Sequence, residues 1–236
     1  MTSTIGTAVL VHGAWACPAD WRWVCELLER AGVACDAVDL PSHRSGNATR
    51  RDDVAAVQAA VARATGPVVA AGWSYGGAVI GDMDLRDTAI EHLLYVASVP
   101  EVVIDAASSR KATASLGASP LILFPTPDTA VLDDERWLTQ GPGVDGFSSE
   151  VMEHLWTYRR RPVSLAAWGA PAEREAWRQV STTVLLGRDD RLVPPARQQF
   201  AAQLPVNTRV VDGDHFLLLT RPEVVAKQIC ALFDEP

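Results

Sequence analysis

Lysine, cysteine and long apolar runs are scarce in this chain, and each scarcity removes a class of function. Lys111 and Lys227 are the only lysines, and 21 basic residues stand against 29 acidic ones, a formal net charge of −8. The arginines are scattered except for Arg159, Arg160 and Arg161, which read as a solvated face or a helix end. An electrostatic footprint for nucleic acid is therefore lacking. The four cysteines, Cys17, Cys25, Cys35 and Cys230, form no CxxC pair, and no histidine stands at metal-ligand spacing from them. The expectation is four reduced thiols and no metal. No apolar run reaches the ~18 residues of a membrane span, and the residues after Met1 contain no basic region, apolar region or cleavage site. These features predict a cytoplasmic protein with neither membrane nor nucleic-acid partner; they leave its oligomeric state open.

What is present is a regular alternation. At 236 residues, 48% hydrophobic and 21% charged, the chain suits one well-buried domain. "TAVLVHG" (Thr7 to Gly13) is a short apolar run stopped by glycine, as in a strand covered on both faces. In "DWRWVCELLERAG" Trp21, Val24, Leu28 and Ala31 recur at helical spacing, and Gly32 sits where a helix should end. "VACDAVDLP" reads as a second strand, Asp53 to Thr65 as a helix, "GPVVAAGWS" as a third strand, "GGAVIGDMDL" as a helix and "IEHLLYVASVP" as a fourth strand. The alternation fails between Glu101 and about Arg178. It resumes with the strand "STTVLLGRDD", the helix "PPARQQFAAQL", the strand "NTRVVDGDH" and a closing helix carrying Val225, Ile229, Leu232 and Phe233. The pattern predicts an α/β fold with a doubly wound, mostly parallel sheet: residues 1–100 and 179–236 form the core, and 101–178 form an insertion after the fourth recognisable strand.

The stretch "AAGWSYGGAV" places Ser74 between a buried strand and a helix, with Gly72 and Gly76 on either side. A GxSxG serine acts as a nucleophile when it stands on such a sharp strand-to-helix turn. Its hydroxyl needs a base, normally a histidine oriented by a carboxylate. His12, His43, His92 and His154 have structural explanations at strand ends, in a loop and in the insertion. His215, in "DGDHF" between the last strand and the last helix, is the candidate base. In "LLGRDDRLVPP" Asp190 is preferred as the carboxylate, with Asp189 as a turn or surface residue, since one register step reverses side-chain direction in an extended segment. "GWSYGG" lacks the lysine and spacing of a phosphate-binding loop, and no metal or organic cofactor is required.

"VLVHGAW", "DLPSH", "GWSYGG", "GRDDRLVPP" and "GDHFLLLTRPEVV" stand in the order and at the spacing of the α/β-hydrolase fold superfamily, which the chain resembles over essentially its whole length. Within it, the chain is similar to the small-cap branch of bacterial esterases, plant methylesterases and hydroxynitrile lyases. The resemblance implies an oxyanion hole made by the backbone amides of Ala14 and Tyr75, and a helical cap folded from the insertion over the serine. It disfavours a cyanohydrin lyase, which would carry threonine in place of Gly13 and lysine in place of Phe216. Trp73 stands where many relatives have histidine, and it would narrow the pocket or pack behind the turn.

The implied activity is that of a serine carboxylesterase acting on a small ester through an acyl-enzyme, with Ser74, His215 and Asp190 as its triad. Lactone opening, thioester hydrolysis and biosynthetic acyl transfer or cyclisation are rivals on the same residues. A ligand-binding protein with little turnover is the rival of another class. The insertion carries Phe124, Trp137, Phe147, Trp156, Tyr158 and Trp168, which could serve as its own core. Trp15, Trp137 and Trp156 are the candidates for facing an apolar or aromatic substrate group.

Overall fold

The computed structural model describes residues 5–103 and 119–234, so part of the expected insertion, 104–118, lies outside the described residues. Six strands form one parallel sheet: β1 (Thr7–Val11), β2 (Ala34–Val38), β3 (Val68–Trp73), β4 (Ile90–Val96), β8 (Ser181–Gly187) and β9 (Asn207–Val211). Their order is β2-β1-β3-β4-β8-β9. β1 and β3 are buried along their whole length, as their unbroken apolar sequences require.

Side chains that alternate along each strand feed two separate cores. Ala8, Leu10, Val69, Ala71, Leu94, Val96 and Leu185 face one side, where they meet Trp21, Val24 and Leu28 of α1 (Arg22–Arg30) and its approach, and Val225, Ile229 and Leu232 of the closing helix (Pro222–Leu232). Val9, Val11, Val68, Ala70, Leu93, Tyr95, Val184 and Leu186 face the other, against Val54, Val57 and Val61 of α2 (Arg50–Arg63) and Val79 and Ile80 of α3 (Tyr75–Gly81). Fully burying each such side chain is worth roughly 1.5–3 kcal/mol. Local signals set the helix ends. Thr49 and Asp52 form a reciprocal cap at the start of α2, and Gly32, at φ +82°, turns the chain out of α1.

Two expectations need correction. Cys25 of α1 and Cys35 of β2 are joined in a disulfide, with Cα atoms 5.8 Å apart; Cys17 and Cys230 are the free thiols. The turn at Gly32 folds α1 back along β2 and brings the two residues into one apolar cluster, a tertiary pairing that cysteine spacing does not reveal. The arginine run lies just past a helix end, at Thr157, but is a solvated face only at Arg159. Arg160 is buried on Asp20, Arg161 reaches the Ala16 carbonyl and Asp39, and Arg159 pairs with Asp134.

Between β4 and β8 the described part of the insertion adds helices at Asp134–Gln140 (α4) and Ser149–Thr157 (α5) and a small antiparallel sheet of β5 (Ile122–Thr126), β6 (Thr129–Leu132) and β7 (Val163–Ser164). These strands are short and mostly exposed or half-buried, so their sequences lack the apolar runs that mark the main sheet.

Candidate active site

The chain starts inside the main sheet at β1, adds β2 on one side and β3 on the other. Connections therefore leave the ends of β1 and β3 in opposite directions, the arrangement that opens a crevice in a doubly wound sheet. Val11 pairs with Gly72, so the residues beyond the ends of these two strands are neighbours. They are His12 to Trp15 and Ser74.

Ser74 has φ +52° and ψ −117°, a conformation that costs a non-glycine residue about 1–3 kcal/mol. Its N–H donates to the Val96 carbonyl at 3.0 Å, and its carbonyl accepts from the Gly77 N–H at 2.9 Å and from Ser98 Oγ at 2.8 Å. The glycines around it are required by close approach. A Cβ on Gly72 would run into the backbone of Gly76, and one on Gly76 into the Val11 carbonyl. Among the described non-glycine residues with positive φ are Trp15, Ser74 and Ala97, and all three line one cavity. Strain held at a concave site is a mark of function.

That cavity, of about 480 Å³, is bounded by Ser74 and His215 together with Gly13, Ala14, Trp15, Trp73 and Trp137. His215 Nδ1 donates to Asp190 Oδ2 at 2.9 Å, which leaves Nε2 as the nitrogen available to an acceptor role. The other Asp190 oxygen accepts the Leu192 and Val193 amides at 2.8 and 2.9 Å, so the carboxylate is held at both ends. Asp189 is exposed. The His215 carbonyl accepts from Trp73 Nε1 at 2.8 Å, and Phe216 packs on Trp73, Trp137 and Phe147. Trp73 thus both lines the cavity and pins the histidine loop. Neither the Ala14 nor the Tyr75 amide is taken up by an acceptor among the described residues. The Tyr75 amide opens α3, where backbone N–H groups favour negative charge.

Of the three tryptophans expected to meet a ligand, Trp15 and Trp137 line the cavity and Trp156 does not. Trp156 is 41% exposed on α5, stacked beneath the Arg159 guanidinium at 4.8 Å. Its helix faces inward through Val151, His154 and Leu155, and Trp156 falls on the opposite side. Walls that sequence reasoning did not single out include Leu121 just before β5, Ile122 and Leu132 of the small sheet, and Val193 after Asp190. No local signal marks the first three, which join the site only through the fold of the insertion, while Val193 is brought in by the loop that carries Asp190.

The remaining histidines are buried. Burial, chiefly, holds His12 down at about 4. Its Nε2 accepts the Leu40 amide at 3.3 Å, while His92 lies 2.9 Å from Thr183 Oγ1 and His154 3.0 Å from Asp20. Among the described residues no group of three or more His, Cys, Asp or Glu could hold a metal ion, and no helix is long and apolar enough to cross a membrane.

Residues 8–228 match the family described as the alpha/beta hydrolase family. No curated protein sequence matches the chain. Among solved structures, it is similar to a pyrethroid hydrolase from Sphingobium faniae JZ-2, with 22% identity and a TM-score of 0.74 over 100% of this chain and 99% of that one. Polyneuridine aldehyde esterase gives 19% identity and a TM-score of 0.77 over 98% and 99% of the two chains. Tomato methylketone synthase I, complexed with 2-tridecanone, gives 16% and 0.77 over 99% of each. At these identities the likeness is one of fold.

Proposed function

Since the chain belongs to the alpha/beta hydrolase family, we propose that it is a serine hydrolase that cleaves a small carboxylic ester through an acyl-enzyme. The observation that carries the reading is the sharing of one cavity by strained Ser74 and by His215, whose far nitrogen is held by buried Asp190. His215 takes the Ser74 proton as Oγ attacks the ester carbonyl. The imidazolium so formed is stabilised by Asp190, and the oxyanion is received by the Ala14 and Tyr75 amides. His215 returns the proton to the leaving alcohol, and a water activated by the same imidazole releases the acid. The chemistry uses the chain's own groups throughout.

Residues 1–100 and 179–236 act as the catalytic core, and 101–178 as a cap over it. Leu121, Ile122, Leu132, Trp137, Trp168 and Val193 make the cavity walls largely apolar, which favours an ester with an apolar or aromatic acyl or alcohol group. That one structural neighbour is a pyrethroid hydrolase and another an esterase agrees with this choice.

The test is a set of initial rates on short-chain, long-chain and aryl p-nitrophenyl and methyl esters, with lactones and thioesters alongside, for wild type and Ser74→Ala. The reading expects ester turnover that disappears in Ser74→Ala. Turnover confined to lactones or thioesters would move the assignment to those substrates, and inertness on all of them would refute it.

A further inference from the structure

His43, on the turn after β2, takes no part in the proposed triad and is 5% exposed. Its Nε2 accepts the backbone N–H of Trp15 at 3.0 Å, and its Nδ1 lies 3.0 Å from Ser42 Oγ. An imidazole whose Nε2 accepts carries its proton on Nδ1, so His43 is neutral and donates to Ser42. Burial, His12 and the nearby guanidinium groups all favour that neutral form. The hydrogen bonds continue beyond Ser42. Its N–H donates to Asp53 Oδ1 at 2.8 Å, and Asp53 Oδ2 accepts the Tyr75 hydroxyl at 2.7 Å. One continuous path thus begins on the residue after Ala14 and ends on the side chain of Tyr75.

Those two residues lie on different elements, one beyond β1 and the other opening α3. An oxyanion hole works only when both donors stand about 2.7–3.1 Å from the place where charge develops. The β1 turn would not keep such a position unaided. Trp15 sits at φ +60°, in the left-handed region that a bulky residue avoids. It is held from three sides: by His43 at its N–H, by the Arg161 N–H at its carbonyl (2.9 Å), and by the Ala130 carbonyl at its indole N–H (3.2 Å).

We propose that His43, acting through Ser42 and Asp53, is a positioning residue that sets the separation of the Ala14 and Tyr75 amides and so lowers the transition state without contributing to substrate binding. The inference rests on the Ser74 mechanism above.

The experiment measures kcat, KM and thermal midpoint with p-nitrophenyl butyrate for the full chain as wild type, Ser74→Ala, His43→Phe, His43→Gln and Tyr75→Phe. His43→Phe cannot accept the Trp15 N–H, and its kcat should fall about ten- to a hundredfold with KM within about twofold, somewhat less than the ~10²–10³ lost with a whole oxyanion donor. His43→Gln, whose Oε1 can accept, should recover most of that loss, and Tyr75→Phe should lower kcat in the same sense by cutting the other end. The proposal is overturned by a folded His43→Phe with wild-type kcat, by a loss carried in KM, or by His43→Gln faring no better than His43→Phe. Should His43→Phe fail to fold, wild-type kcat in Tyr75→Phe overturns it equally. A dead Ser74→Ala beside unaffected His43 variants removes the positioning role alone, whereas an active Ser74→Ala removes the mechanism and the positioning role together.

Discussion

Replacing Arg160 by methionine should destabilise the protein far more than the loss of a surface charge would. Arg160 grips Asp20 with two hydrogen bonds of 3.0 and 3.1 Å, and both side chains are almost wholly withdrawn from water. Asp20 also accepts His154 Nε2 at 3.0 Å and the Cys17 amide at 3.1 Å. Burial works against its charge, yet Arg160 and His154 hold the carboxyl well below the usual carboxylate range. Arg160→Met leaves that carboxylate buried without its main counter-charge, and breaking such a pair from one side costs about 3–5 kcal/mol. For a domain of this size each kcal/mol moves the midpoint by roughly 2–4 °C, so the expected drop in Tm is about 6–20 °C. Asp20→Asn combined with Arg160→Met, which leaves no lone charge, should be less destabilised than Arg160→Met alone. The wild-type pair should also be insensitive to added NaCl, unlike a surface ion pair. Differential scanning calorimetry on the three proteins at pH 7.5 decides the matter. A fall of less than about 2 °C in Arg160→Met, or a double variant worse than the single, would refute the reasoning. The pair matters to the site because it ties the turn after Trp15 to the inserted segment.

Stability should fall as the pH drops below about 6.5, because the unfolded chain protonates His12 and the folded one does not until about pH 4, a loss approaching 3 kcal/mol. His43, also held below its ordinary value, adds in the same direction. The raised carboxyls of Asp53, Asp82 and Asp214 act the other way as they protonate, so urea unfolding between about pH 7.5 and 5 is the informative range, and a flat profile there contradicts the assignment. Gly76→Ala should cost about 1–3 kcal/mol and most of the activity, as its Cβ meets the Val11 carbonyl directly beneath the candidate nucleophile; circular dichroism melts with rates would show both. Trp137→Phe should alter the ratio of rates on aryl and short acyl esters, whereas Trp156→Ala should leave that ratio within about twofold and stability within ~1 kcal/mol, since only Trp137 borders the cavity.

The central strands were legible because β1, β3 and most of β4 and β8 are apolar runs, whereas the edge strands β2 and β9 carry polar residues such as Asp36 and Arg209 and were placed by their position in the alternation with helices. Ser74, Asp190 and His215 could be nominated because each follows a strand of the main sheet, where a crevice opens: Ser74 directly after β3, and the other two in the loops after β8 and β9. Asp190 is separated from Asp189 by its D-x-L-V-P spacing to Pro194 and by register, and the structure places Asp190 beside His215. What could not be read was tertiary. The Cys25–Cys35 bond depends on how α1 folds back along β2, and the burial of Arg160 depends on Asp20, 140 residues away in sequence. Trp156 looked like a pocket residue by composition, yet its position on α5 turns it outward. His43 looked like an ordinary loop histidine, because the acceptor role of its Nε2 appears only when the β1 turn is brought against it.

Covalent labelling of Ser74 tests the central claim most directly. Wild type and Ser74→Ala would be treated with an alkyl fluorophosphonate, digested and analysed by mass spectrometry, with residual esterase activity followed in parallel. The mechanism predicts one phosphonyl group per chain on the peptide containing Ser74, activity lost in step with labelling, and no adduct on Ser74→Ala. Labelling at another residue, or a fully phosphonylated Ser74 in a protein that still turns over ester, would contradict it.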